Sequence, residues 1–424
     1  MSKLLKTVRE ELMGGISPNI PGRSQTPTTS LLNSAKPKFF VDGRNVVFEE
    51  SSVQPTSGQR LIVSPVNQDS ITGLLSVNAA GTPTAYYGNS TTLFEYTTAG
   101  GATSVGSGYA GVENATSTTP ATLWSLTSWG TWIAATNGVD VPQIFKGTSF
   151  ANLTGLSFTT AEIFIERSPF MIAFNTSNGV AEAEWCDEDN IEDWSPTTSN
   201  AAGNLTIREA GGPILAAVMR GKDVAFYTNN RMFILEFVGA PFWFRYRPLL
   251  MGIGTVGKAA VVAVGAIHYG FGPEGIWATD GTKFEYIASP EIRDFIYNNI
   301  NLEQISKVVA WHDRQQHSVI FFWPEDPSTA NSLGVVFNYK NKIWSIDDRG
   351  RSAATYAPDF GVSLAGDSSG YLWQQNITGD PTTNTNSGEL PVQDEISYQV
   401  GFGEGGFGEV PFGGDWTGED TLDG

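Results

Sequence analysis

Short apolar runs alternate with small polar turns along most of this chain, and the turns recur at a nearly constant interval. The clearest copies occupy residues 266–277 and 361–373. Looser copies centre on Gly88, Gly138, Asn178, Asn229 and Gln315. The turns fall near 88, 138, 178, 229, 274, 315 and 368, at steps of 50, 40, 51, 45, 41 and 53 residues. One hairpin buries too little apolar surface to stand alone. A hairpin repeated every 40 to 50 residues is the signature of a β-propeller, with one four-stranded blade per repeat. The expected fold is all-β, with about seven blades, or six if the copy at Gly88 is an insertion. The ring should be closed, because an open sheet edge invites strand addition. A strand at 396–400 or at 45–49 is expected to complete the last blade.

Three segments depart from the hairpin pattern. Residues 290–299 read as one short helix with Ile292, Phe295 and Ile296 inward. Residues 2–12 place Leu4, Leu5, Val8 and Leu12 on one helical stripe, ended by Gly14 and Gly15. Residues 16–38 are rich in Pro, Ser and Thr, contain no acid, and hold Arg23, Lys36 and Lys38. This composition predicts an arm that contacts another subunit, not a packed layer. After a plausible strand at 396–400 the chain becomes glycine-rich, with Phe402, Phe407, Phe412 and Trp416 spaced along it. The expected division is an N-terminal helix and arm over 1–38, a propeller over 39–400 and an acidic glycine-rich tail over 401–424. Within the propeller, Asp280-Gly281 predicts a two-residue turn. Lys146-Gly147 and residues 339–342 predict further hairpin turns.

Length alone, at 424 residues, suggests two or three domains, but propeller blades share one ring. The net charge is −19, unevenly spread. No Lys or Arg follows Arg351, while twelve acids do, which leaves only −7 for the first 351 residues. Such a surface repels nucleic acid. Cys186 is the lone cysteine, so the fold uses no internal disulfide. Residues 2–14 are too charged for a signal-peptide core, and no run approaches a membrane span.

Candidate chemistry is sparse. His268, His312 and His317 are the only histidines, and none sits at metal-ligand spacing. No nucleophile elbow accompanies a serine. The glycines at 252–254 and 270–272 lack a following helix, so they read as turns and not as a dinucleotide loop. The densest acid cluster is 185–194, bounded by Trp185 and Trp194. Asp187, Asp189 and Asp193 would suit a hard cation, or a glycosidase carboxylate pair. The cluster lacks EF-hand spacing, and an acidic surface loop anchored by its tryptophans is the preferred reading. The expectation is a non-enzymatic protein with no catalytic residue, metal or cofactor.

The order of several motifs is more informative than any one of them. Residues 122–153 include Trp124, Trp129, Trp132 and a turn at Asn137-Gly138. Next come Arg167-Ser168-Pro169-Phe170, the acidic loop ending at Trp194, and Gly211-Gly212-Pro213. Val224-Ala225-Phe226-Tyr227, Met251-Gly252-Ile253-Gly254, residues 272–281 and residues 337–346 complete the series. This succession, over residues 40–375, resembles the tail hub or nozzle proteins of short-tailed bacteriophages, also called tail tubular or packaged-DNA stabilisation proteins. The resemblance implies a virion protein, made in the host cytoplasm and assembled as a ring of six copies below the portal and adaptor. It implies that the ring continues the DNA channel, retains the genome and supports a needle or fibres. Double-stranded DNA would pass without specific binding, and no membrane insertion is expected. Under this resemblance Glu389, Asp394, Glu404 and Glu409 are candidate channel-lining acids, and Arg23, Lys36 and Lys38 are candidate inter-subunit contacts. The rival expectations are a carbohydrate-binding or carbohydrate-cleaving propeller and a monomeric protein-interaction propeller.

Overall fold

Seven four-stranded antiparallel sheets make a seven-bladed β-propeller. The structure, a computed structural model, describes residues 46–49, 52–55, 58–65, 68–112 and 121–377. Blades 1 to 6 span residues 73–107, 125–152, 161–206, 216–251, 261–286 and 309–347, each a simple meander. The first strand of every blade touches the first strands of both neighbours, which closes a ring around a central axis.

Burial explains why the sequence pattern is apolar in runs and not strictly alternating. A middle strand lies between neighbouring blades, so both of its faces are covered. Ser318–Trp323 and Leu333–Asn338 are buried at every residue. Outer strands face solvent: in Gly101–Ser107 only Val105 is buried. The core is therefore divided among the seams between blades. Phe174, Phe226 and Phe233 fill the seam of blades 3 and 4. Phe271, Phe321 and Trp323 fill that of blades 5 and 6. Each such side chain contributes roughly 1.5–3 kcal/mol by leaving water. Gly270 shows how tight the fit is: a Cβ there would meet the cross-strand Trp277 ring at 2.1 Å.

The seam of blades 6 and 7 is different. Its apolar cluster has only Trp311, Ile320, Phe322 and Val336 as buried members. Charged and amide groups supplement it. The Asp313 carboxylate accepts two 2.9 Å hydrogen bonds from Asn376 Nδ2. Asp347, fully buried, accepts from Arg349 Nη2 at 2.5 Å and Nε at 2.9 Å. Arg351, also buried, donates to the carbonyls of Arg349 and Gly350 and to Gln59.

Blade 7 closes the ring. Its first three strands are Ala353–Ala357, Val362–Gly366 and Leu372–Ile377; the fourth is Gly58–Val63 from the other end of the chain. Gly58 pairs with Ile377 and Leu61 with Trp373. This corrects the expected closing strand. Val46–Glu49 instead forms a separate hairpin with Ser52–Pro55, and 396–400 lies outside the described residues, as do 1–38.

Six of the seven sequence turns connect the second and third strands of their blades. Gln315 does not; it connects the first and second strands of blade 6, and the equivalent connection there is 324–332. The tight, Asp313-capped turn imitates the repeat, whereas the true one is drawn out. The Asp280-Gly281 turn also occupies four residues, 280–283, because the Asp280 carboxylate accepts from the Thr282 and Lys283 amides and holds a wider loop. The predicted helix is present as α1, Pro290–Asn299, capped by Ser289. Ile292 and Ile296 are buried in the seam of blades 5 and 6, and Phe295 packs at its margin.

Candidate functional site

Propeller sites usually gather where the first strands converge on the axis. Here a lysine ties together the starts of three of those strands. Lys258, in the connection between blades 4 and 5, reaches across to blade 3 and to the approach of blade 2. Its Nζ lies 2.7 Å from Glu162 Oε2 and donates to the Leu123 carbonyl at 2.8 Å. Gly138 backs this pair: its φ is +85°, and a Cβ there would meet Glu162 Oε1 at 2.3 Å. Glu166, further along the same strand as Glu162, accepts from Ser128 Oγ at 3.3 Å. The two axial glutamates are thus each tied to a different partner, one salt-bridged and one hydrogen-bonded.

The acidic loop is built for shape. Trp194 is buried, stacked on Phe164 at 5.7 Å and edge-on to Phe158 at 5.2 Å. Trp185 Nε1 donates to the Ala201 carbonyl. Between these anchors the carboxylates fold the backbone. Asp187 accepts from the Ala201 amide at 2.7 Å, and Asp193 accepts from the Ser195 amide and from Asn200 Nδ2. Asp189 takes a left-handed φ of 55° in the turn. Glu192 pairs with Lys146 at 2.7 Å. Among the described residues no group of three or more His, Cys, Asp or Glu gathers as a metal site. Cys186, buried beside this loop, has its thiol pushed up to about 12 by burial.

His268 is a core residue between blades 4 and 5, with Nδ1 2.7 Å from Tyr227 Oη. Burial, with help from the Arg220 charge, pushes its pKa down to about 4. The unfolded chain therefore takes up a proton near its ordinary value of about 6.5, while the folded chain resists until about 4. Stability carried by this group is complete above 6.5 and is lost as pH falls across that window, by up to about 3 kcal/mol. We expect His268→Gln to flatten the pH dependence of urea midpoints between pH 6.5 and 4. An unchanged slope would assign the acid sensitivity elsewhere, for instance to His312, which burial also pushes down to about 4.

The sequence-derived candidates Glu389, Asp394, Glu404, Glu409, Arg23, Lys36 and Lys38 all lie outside the described residues. Three surface features were not anticipated. A cavity of about 280 Å³ lies at the seam of blades 7 and 1, lined by Ile62, Asp69, Tyr87, Asn89 and Phe94. It is just below the usual range for small-molecule sites. A second cavity of about 240 Å³ lies between Tyr286 and α1. The third feature is the projecting edge of blade 4, tipped by Phe242. A phenylalanine next to a proline and ahead of two arginines is the sequence signal for it, and it passes for an ordinary hairpin.

No family model matches the chain, and no curated protein matches it. Among solved structures it is similar to the crystal structure of the computationally designed Ika8 protein, at 9% identity and a TM-score of 0.45. That match covers 76% of this chain and all of the designed one.

Proposed function

We propose that this chain is a structural virion protein, a subunit of the tail nozzle of a short-tailed phage. The supporting observation is the ordered motif succession, whose members occupy blades 2 to 6 one after another. In this reading six copies form a ring beneath the portal and adaptor. The ring retains the packaged genome, lets it pass on infection and carries the needle or fibres. The duplex would run through the lumen between copies and not along the axis of any one propeller. A major groove alone is about 12 Å wide, whereas a single lysine side chain, Lys258, ties together the starts of first strands two and three blades apart. The acidic character of the chain suits a wall that leaves water and counterions between itself and the phosphates.

Negative-stain microscopy of the purified full chain, alone and mixed with the portal–adaptor assembly of the same genome, tests this proposal. The expected result is a six-membered ring with a central hole, formed alone or on the adaptor. A lone 45.7 kDa disc in both samples would end the proposal.

A further inference from the structure

Among the seven blades, blade 4 alone is net basic, in a chain that is acidic as a whole. Residues 207–252 hold six Lys and Arg against three acids, while the chain as a whole carries −19. Its last two strands, Arg231–Gly239 and Trp243–Met251, are nine residues each, the longest among the described strands. Phe242 at the hairpin tip is 76% exposed, and Val238 beside it 43%. Arg245 and Arg247 share a single carboxylate, Glu236, at 3.0 and 2.8 Å, with side chains 67% and 50% exposed. One acid between two arginines leaves the strand net positive. The sheet ends at this strand, so its outer edge has no strand partner in the described fold. An exposed aromatic beside arginines on a sheet edge is the composition of a binding hot spot, with backbone groups available for strand addition.

The chain itself carries the complementary chemistry. Residues 378–424 contain ten acids and no base. Phe402, Phe407 and Phe412 recur every five residues, each followed within three residues by an acid, Glu404, Glu409 or Asp415. The topology also permits delivery. Ile377 ends a third strand, so it lies at the same end of the ring as the third-to-fourth connections, of which the Phe242 hairpin is one. Two four-stranded blades at about 4.8 Å per strand, plus the axial gap, span on the order of 40 Å. The stretch from Ile377 to residue 400, fully extended, reaches roughly 75 Å. Tethering supplies an effective concentration in the millimolar range, above that of a second copy in dilute solution.

We propose that the acidic aromatic segment 400–416 docks on the blade 4 edge of its own chain, with phenylalanines against Phe242 and Val238 and acids against Arg245 and Arg247. This goes beyond the nozzle proposal and does not depend on it.

Hydrogen exchange of the full chain, read in peptides covering 238–251, tests the docking. The wild type is expected to exchange about tenfold more slowly there than the Phe402→Ser/Phe407→Ser/Phe412→Ser variant. High salt should narrow the gap, since exposed ion pairs are screened. Arg245→Glu/Arg247→Glu should lose the protection, and adding Glu404→Lys/Glu409→Lys should restore it. Ser318–Trp323 serves as the folding control. The tail substitutions lie outside the propeller, so they decide the matter even if the arginine variant misfolds. Equal exchange in wild type and tail variant overturns the proposal. So does protection that grows with protein concentration, which would make the occupant another copy's tail.

Discussion

A chain starting at Ser64 is expected to lose cooperative folding, whereas one starting at Phe39 keeps it. The difference is the strand Gly58–Val63. Without it Leu372–Ile377 becomes an unpaired edge, and the seam of blades 7 and 1 loses the Ile62 and Val63 side chains that pack against its core. Lost ladder hydrogen bonds and newly exposed apolar surface together cost on the order of 5 kcal/mol or more. That rivals the whole stability of an ordinary domain, about 5–15 kcal/mol. Circular dichroism during thermal unfolding distinguishes the two truncations. A sharp transition in the shorter chain, near that of the longer one, would show that ring closure does not depend on this strand.

Asp347→Ala is expected to be the most damaging point substitution in the seam of blades 6 and 7, at about 3–5 kcal/mol. The carboxylate is fully buried and faces Arg349 in a bidentate arrangement. Burial alone would raise its pKa, but the Arg349 charge and hydrogen bonds outweigh burial and hold it below the ordinary carboxylate range. Its contribution is therefore present above the unfolded value near 3.9 and is lost as pH falls through the lower folded value. Alanine removes it at every pH and leaves the part-buried Arg349 and the buried Arg351 short of an anion. Arg351 already feels this: burial and Arg349 push its pKa down to about 10. Urea unfolding at neutral pH gives the measurement. A loss under about 1 kcal/mol would mean that the arginines find other anions or open to water. Replacing Asp347 and Arg349 together by leucine should recover part of the loss, since a buried ion pair often matches an apolar pair of similar volume.

The propeller was legible because its repeat is enforced locally. Each blade needs two buried middle strands joined by a short polar turn, and six of the seven turns sat where that requirement put them. Blade 6 misled because Asp313 caps a tight turn at Gln315, while the connection 324–332 has no compact signature. The closing strand was illegible for a different reason. Gly58–Val63 pairs with residues more than 300 positions away, and nothing within six residues encodes a partner at that distance. The same holds for Lys258, whose partners Leu123 and Glu162 lie three and two blades away along the ring. The acidic loop was readable as structure because tryptophans at both ends marked its anchors. The exposed tip at Phe242 was not, since an aromatic in a strand-rich stretch reads first as core.

Closing the ring with strands from opposite ends of the chain also fixes its mechanics. Gly58 and Ile377 are paired neighbours, so the first residue of one closing strand and the last residue of the other lie side by side at one corner of the propeller. Tension applied between Gly58 and Ile377 pulls the last pair of strands apart from one end. In an antiparallel ladder the hydrogen bonds lie across the strands, so this loading breaks them in succession and not together. Blade 7 is then a zipper under axial load, while pulling at two distant blades meets whole seams in shear. A ring anchored at Gly58 or Ile377 alone keeps its full resistance; anchoring both to parts that move apart would make blade 7 the first to yield.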